Sequence, residues 1–235
     1  MQASKKNKKA TSMAKCEFCS KEFKSERTIA AHLCVKKKRF AEKDTVGSRL
    51  GFRVFQRFYE LTTSSKTPKS FREFIDSKFY IDFVKFGRHL IDINPINTDE
   101  YIDFIIKNAI PLSDWKKDYV YVRYLKEYTQ KEPAQKALER TIIEMGTWCT
   151  ENNVDIVDFF EKVNTVEAVY LIKSGKLSPW VLYLASSSDK LWVRINEEQE
   201  KFIQTAVDFD WWQKKFIANK DDVDFIVSVL TEAKL

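Results

Sequence analysis

The feature that most constrains the fold is a set of cysteine and histidine residues near the start of the chain. Cys16 and Cys19 are separated by two residues, and His32 follows Cys19 after twelve more. This spacing predicts that two thiolates and an imidazole bind one metal ion. Phe23 and Ile29 supply only a small apolar core, and a segment this short needs a further link to fold.

These residues resemble the C2H2 zinc-finger family over about twenty positions. The resemblance implies a bound Zn²⁺, a β-hairpin that carries the two cysteines, and a helix from about Ser25 to His32. The family's fourth ligand would fall within positions 36–38, which are all lysines in this chain. A protonated lysine does not bind zinc, so this chain departs from the family at its fourth ligand.

Cys34 is the favoured fourth ligand, which would make the site a CCHC variant. It follows His32 by two residues, about 200° further around a continuing helix. The thiolate can reach the metal only if the helix ends near His32 and the chain turns back. Cys149 or His89 could replace it only by folding the rest of the chain onto the finger.

Charge is distributed unevenly along the sequence. Residues 1–57 contain sixteen Lys and Arg against five Asp and Glu, a net charge of about +11, whereas the whole chain carries +6. The pattern predicts a basic arm for a polyanion attached to a neutral or acidic body. A basic tail that only improves solubility is the alternative.

The cations of the finger and of the following segment are predicted to bind nucleic acid, with DNA favoured over RNA. If the finger helix docks as in the family, Ser25, Thr28 and Ala31 face the bases, and their short side chains predict contacts to phosphate without base specificity. The alternative is a finger that docks on another protein. The predicted phosphate-binding residues are Lys21, Lys24, Arg27, Lys36, Lys37, Lys38, Arg39, Arg49, Arg53 and Arg57.

The last three of these arginines recur every four residues, so a helix would place them on one face. Phe52, Phe55 and Tyr59 lie in the same stretch and could stack on bases if exposed. Aromatic residues at helical spacing are more typical of a core.

The remainder of the chain has helical periodicity interrupted by short polar segments. The whole chain contains only five Gly and five Pro, which disfavours a turn-rich β fold. The predicted fold is mainly α, with a small ββα-type zinc finger followed by an all-α multi-helix domain. We expect a disordered basic tail at residues 1–13, the zinc finger at 14–36, a basic linker at 37–45 and the helical domain at 46–235.

Local signals predict several helix boundaries in this domain. We expect a break near Ser77, a glycine stop at Gly175, and helix starts at Asn97, Ser113, Pro133, Ser178-Pro179 and Asn196. The expected core residues include four tryptophans, Trp180, Trp192, Trp211 and Trp212, although "DFDWWQKKF" could instead form an exposed anchor for a partner.

Motifs of nucleotide-binding, metalloprotease and hydrolase sites are missing from the sequence, and no apolar run reaches the length of a membrane span. Three of the four cysteines have ligand spacing, which suits a reducing, intracellular compartment. We therefore expect a nucleic-acid-binding accessory protein without catalytic activity, whose helical body binds a protein partner. The alternatives are an interaction adaptor or virion-assembly component and, third, an enzyme with an unrecognised site.

The stretches "CEFCSKEF…AAHLCVKKKR", "FVKFGRHLID" and "LSPWVLYL" resemble small zinc-finger-headed proteins of large tailed bacteriophages. That resemblance implies action in the cytoplasm of an infected host, in DNA replication, repair or transcription.

Overall fold

The computed structural model describes residues 13–63 and 67–235, and the chain falls into two compact units. The first unit is Met1–Asp92 and the second is Ile93–Leu235. The predicted mainly-α fold with a small ββα module is confirmed. The predicted tail, residues 1–13, lies outside the described residues except for Met13. The predicted domain boundaries stay predictions, and the division after Asp92 is one that the sequence did not indicate.

The first unit begins with a two-stranded hairpin, followed by helices of very different length. Residues 37–45 are predicted to be a basic linker, but residues 37–41 of this segment belong to helix α2. The predicted break near Ser77 is confirmed by the gap between α4 and α5. The elements are β1 (Ala14–Lys15), β2 (Glu22–Phe23), α1 (Glu26–Ala31), α2 (Val35–Ala41), α3 (Val46–Thr63), α4 (Phe71–Asp76) and α5 (Tyr80–Ile93).

Helices α3 and α5 cross at glycines. A Cβ atom built on Gly87 would lie 2.5 Å from the carbonyl oxygen of Gly47, and one on Gly51 would lie 2.7 Å from the carbonyl oxygen of Phe83. Only glycine permits backbones to approach this closely. The crossing therefore fixes α3 against α5.

Aromatic side chains fill the space between α3 and α4. Phe55 is 2% exposed, and its ring centroid lies 5.1 Å from that of Phe74 and 4.8 Å from that of Tyr59. Phe52 is half-buried, with its centroid 5.2 Å from that of Phe71. Phe55 is therefore core, as predicted, whereas Phe52 and Tyr59 are half-buried and pack against neighbouring rings.

The second unit is built from helices joined by short turns. The helix predicted to start at Ser113 starts instead at Asp118, because residues 112–114 form a 3₁₀ turn that precedes the buried Trp115. The helices are α6 (Thr98–Lys107), α7 (Asp118–Lys131), α8 (Ala134–Asn152), α9 (Phe159–Lys162), α10 (Thr165–Lys173), α11 (Pro179–Leu184), α12 (Asp189–Trp192), α13 (Glu197–Ala206), α14 (Phe209–Ala218) and α15 (Lys220–Glu232).

The other predicted boundaries of this unit follow from local chemistry. Asn97, Ser178 and Asn196 each accept a backbone N–H in the first turn of the helix that follows. Pro133 directly precedes α8. Gly175 has a φ of 77° just after α10, as a glycine stop requires.

The tryptophan-rich stretch of α14 places one of its two indole rings in the core. Trp212 is 3% exposed, and its ring centroid lies 5.8 Å from that of the fully buried Trp180. The Lys215 ammonium lies 4.9–5.4 Å from the ring centroids of Trp180, Trp211 and Trp212, and donates to the carbonyl oxygen of Gln130 at 2.7 Å. Trp212 is therefore core, as predicted, whereas Trp211 is half-buried and Phe209 of the same stretch is 54% exposed. The exposed anchor considered as an alternative stays a prediction. In the part of the chain that the structure describes, no helix combines the length and apolar character needed to cross a bilayer.

Candidate metal centre

A tight hairpin brings the first two cysteines together. Lys15 pairs with Glu22 across the two strands, and the Cys16 N–H donates to the carbonyl oxygen of Lys21 at 2.9 Å. Ser20 closes the turn with a φ of 61°, and its N–H donates to the carbonyl oxygen of Cys16 at 2.8 Å. The turn therefore places both thiols on the same side of the hairpin.

Helix α1 ends early, as ligation by Cys34 requires. The helix stops at Ala31, and His32 has extended backbone angles (φ −73°, ψ 122°). The chain then turns so that Cys34 becomes the N-cap of α2, where its Sγ accepts the Lys37 N–H at 3.4 Å. The predicted early end of the helix is confirmed, and Cys34 belongs both to the ligand cluster and to the next helix.

Four side chains meet at this point. The sulfur atoms of Cys16, Cys19 and Cys34 and a ring nitrogen of His32 all lie within 4.8 Å of one another. Cys19 Sγ and His32 Nε2 are 3.2 Å apart. Tetrahedral zinc, with Zn–S near 2.3 Å, sets ligand atoms about 3.8 Å apart. The cluster therefore fits one metal ion with small side-chain adjustments.

The alternative ligands play no part in this cluster. Cys149 is buried on α8, where its thiol faces the carbonyl oxygen of Asp155 at 3.8 Å and burial raises its pKa. His89 lies on α5 with its ring centroid 6.1 Å from that of Phe86. Among the described residues, no other group of three or more His, Cys, Asp or Glu is placed to hold a metal.

The thiols of the cluster do not share one electrostatic environment. The backbone N–H of Cys19 lowers the pKa of Cys16, and the nearby thiols act in the same direction. For Cys19 the Lys21 backbone N–H also acts to lower the pKa, but burial and the neighbouring sulfurs of Cys16 and Cys34 outweigh it and raise the pKa. A divalent cation at the centre would favour the thiolate form of every cysteine ligand.

The metal module (residues 14–34) is packed against the helices of its own unit. Phe18, which stands between the first two ligands, is 9% exposed, and its ring centroid lies 5.1 Å from that of Phe40 on α2. The Arg72 guanidinium of α4 lies 4.9 Å from the Phe18 ring centroid and donates to the carbonyl oxygen of Glu17. Sequence reasoning missed this contact, although an apolar residue between two ligands was a signal for it.

The predicted phosphate-binding residues divide into two groups by exposure. Six are exposed side chains: Lys21, Lys24, Arg27, Lys38, Arg49 and Arg53. The other four are half-buried: Lys36, Lys37, Arg39 and Arg57.

The half-buried cations have partners within the unit. Lys36 pairs with Asp76 at 2.9 Å, and Arg57 pairs with Glu60 at 3.0 Å. Lys37 Nζ donates to the carbonyl oxygen of His32 at 3.3 Å.

Arg39 caps the C-terminal end of α4. It donates to the carbonyl oxygens of Ile75 at 2.7 Å and Ser77 at 3.2 Å, and its guanidinium lies 4.5 Å from the Tyr80 ring centroid. Arg39 therefore holds the end of α4, and the three other half-buried cations also have partners within the unit.

Two of the three positions that would face bases are used to cap α1. Ser25 Oγ accepts the Thr28 N–H at 3.3 Å, and Thr28 Oγ1 donates to the carbonyl oxygen of Ser25 at 2.8 Å. The third position, Ala31, has no polar group. This geometry gives the module little means of reading base edges.

Comparison with known proteins finds no family model, no curated protein and no solved structure that matches this chain. The metal centre therefore rests on the positions of its four ligands, and the resemblance to bacteriophage proteins stays a prediction.

Proposed function

We propose that the chain is a zinc-dependent nucleic-acid-binding accessory protein that acts without catalytic chemistry of its own. Three thiolates and one imidazole form a soft ligand set that favours Zn²⁺ over hard cations. Four protein ligands complete a tetrahedron and leave no position for substrate or water, which is typical of a structural site. The residues that would hold the ion are Cys16, Cys19, His32 and Cys34.

The observation that carries the proposal is the separation of charge between the two units. Met1–Asp92 contains twenty-two Lys and Arg against ten Asp and Glu, whereas Ile93–Leu235 contains eighteen against twenty-four. A basic unit attracts the phosphate backbone through counterion release, which requires no base contacts. Binding is therefore proposed to be salt-sensitive and largely independent of base sequence. The proposed ligand is DNA, and the proposed process is replication, repair or transcription.

The acidic second unit is proposed to bind a protein partner. On α10, Val166 and Tyr170 are 70% and 49% exposed and stand four residues apart on one helix face. Large apolar side chains that stay exposed together are typical of interaction surfaces.

A second candidate function is docking of the metal module on a protein, as in an adaptor or a virion-assembly component. Leu33 and Val35, which flank the ligand Cys34, are 59% and 62% exposed. These side chains would form an apolar contact beside the metal.

A salt titration of binding to random duplex and single-stranded DNA tests the proposal. The nucleic-acid function predicts a linear fall of log K with log salt, with a slope of about −0.9 for each phosphate neutralised on duplex. Removal of zinc by a chelator should weaken binding, because Cys34 anchors the basic helix α2. Absence of binding at low salt would refute the proposal and favour the docking function.

A further inference from the structure

The metal module carries little net charge, although it resembles a nucleic-acid-binding element. Residues 14–34 contain four Lys and Arg against three Asp and Glu. The next stretch, which we term the basic segment (residues 35–57), contains eight against two. Within the described part of the first unit, the charge that would attract phosphate is therefore concentrated after the module.

The packing of the basic segment directs part of this charge outward. On α2, Lys36 and Arg39 are held by the end of α4, as described above. Lys38 is exposed and lies about 200° around the helix from Lys36. The side of α2 that faces α4 is thus fixed, and the opposite side presents a cation to solvent.

Helix α3 has the same arrangement. Phe55 is buried at 2%, and Arg53, two residues earlier, lies about 200° away on the helix and is exposed. Arg49 is exposed one turn before Arg53, on the same face. The glycine crossing with α5 holds this face in place, so the two guanidinium groups have a rigid support.

We infer that the phosphate backbone of nucleic acid binds the exposed cations of the basic segment, and that the metal module is a structural clip that positions this segment. The inference rests on the proposed function and identifies the surface that performs it. Besides the bond from Lys37 to the His32 carbonyl oxygen, Cys34 and Phe18 connect the clip with the segment. One is a ligand that also caps α2, and the other packs on Phe40 of the same helix. The guanidinium groups of the segment suit a phosphate backbone, because they form paired hydrogen bonds to phosphate oxygens.

Two variants with equal loss of charge test the inference. Each replaces four exposed cations by glutamine, so the change in net charge is the same. The segment variant carries Lys38→Gln, Lys43→Gln, Arg49→Gln and Arg53→Gln. The module variant carries Lys15→Gln, Lys21→Gln, Lys24→Gln and Arg27→Gln.

The measurement is the salt dependence of binding to a random 30-base-pair duplex. The segment variant should reduce the magnitude of the log–log slope by up to about 3.6, since each of its four lost phosphate contacts on duplex contributes about 0.9. The module variant should change it by less than about 1. An equal or larger reduction in the module variant would overturn the inference while leaving the proposed function intact.

Absence of binding by the wild-type chain would overturn both the inference and the proposed function, so the two failures are distinguishable. Zinc content and thermal unfolding of each variant serve as controls for folding. If the segment variant does not fold, Arg49→Gln with Arg53→Gln replaces it, and about half the change in slope is expected. An unchanged slope in that double variant overturns the inference.

Discussion

Different interactions stabilise the metal module and the second unit. In the module only Cys16 and Phe18 are buried, so the hydrophobic effect contributes little, and we expect a metal ion at the four ligands to supply the stability. In the second unit, Trp180, Phe159 and Leu182 have no exposed surface and belong to a continuous apolar core. The comparison predicts that this chain combines a module that depends on a bound ion with a unit that depends on burial.

The largest expected effect comes from removing the metal. Chelation, or Cys16→Ser, should unfold residues 14–34, because structural zinc in such modules contributes on the order of 10 kcal/mol. Amide hydrogen exchange should rise sharply there and stay unchanged in the core of Ile93–Leu235. Equal protection of the module with and without metal would show that the two regions do not differ in this way.

The second unit should respond most to loss of its buried ion pair. The Arg140 guanidinium donates to the Glu132 carboxylate at 2.7 Å, and the Glu132 side chain is only 4% exposed. Arg140→Met leaves that carboxylate buried without its ionic partner and removes the bonds from Arg140 to the carbonyl oxygens of Gly175 and Lys176. We therefore expect a loss of about 3–5 kcal/mol in the free energy of unfolding. Urea denaturation measures this loss, and zinc content should not change.

Lys131→Met is the matched control, since Lys131 pairs with Glu127 at 3.5 Å with 77% of its side chain exposed. Its removal should cost less than about 1 kcal/mol. Similar losses in the two variants would contradict the distinction between buried and exposed pairs.

A single kind of substitution should have opposite effects in the two units. Gly87→Ala would force a methyl group against the backbone of Gly47 and should destabilise the first unit by about 1–3 kcal/mol. A Cβ at Gly146, on α8, would meet nothing within 4 Å, so Gly146→Ala should stabilise the second unit by up to about 1 kcal/mol. Thermal unfolding of both variants decides the signs, and destabilisation by Gly146→Ala would mean that this site is less open than described.

The smallest expected effect is a loss of stability of the first unit at low pH. The Lys69 ammonium and the Ser70 cap lower the pKa of Glu73 to about 2 from an ordinary value of 4.5. Because the folded pKa is depressed, the stability contributed by this carboxylate is present above about pH 4.5 and is lost as the pH falls toward 2. NMR titration of the Glu73 carboxyl carbon measures the pKa, and Lys69→Met should raise it. A wild-type pKa near the ordinary value would refute the assignment.

The sequence revealed what depends on local chemistry. Ligand spacing identified Cys16, Cys19 and His32, and the position of Cys34 required the helix to end where it does. Caps such as Asn97 were predictable because their hydrogen bonds close within three residues.

What the sequence did not reveal depends on contacts between distant residues. The bond from Arg72 to Glu17 spans 55 residues, and that from Arg39 to Ile75 spans 36. The run of cations in α2 has no apolar periodicity, so the sequence predicts a linker from residue 37, and tertiary contacts stabilise the helix instead. No local pattern distinguishes a lysine that will pair, such as Lys36, from one that will stay exposed, such as Lys38.

The most direct test of the metal centre is X-ray absorption at the zinc edge of the loaded chain. The four ligands predict one zinc per chain with three sulfur neighbours near 2.3 Å and one nitrogen near 2.0 Å. Cys34→Ser should reduce the sulfur count to two and weaken zinc binding. Fewer than three sulfurs in the wild-type chain, or an unchanged spectrum in the variant, would contradict the assignment of Cys34 as the fourth ligand.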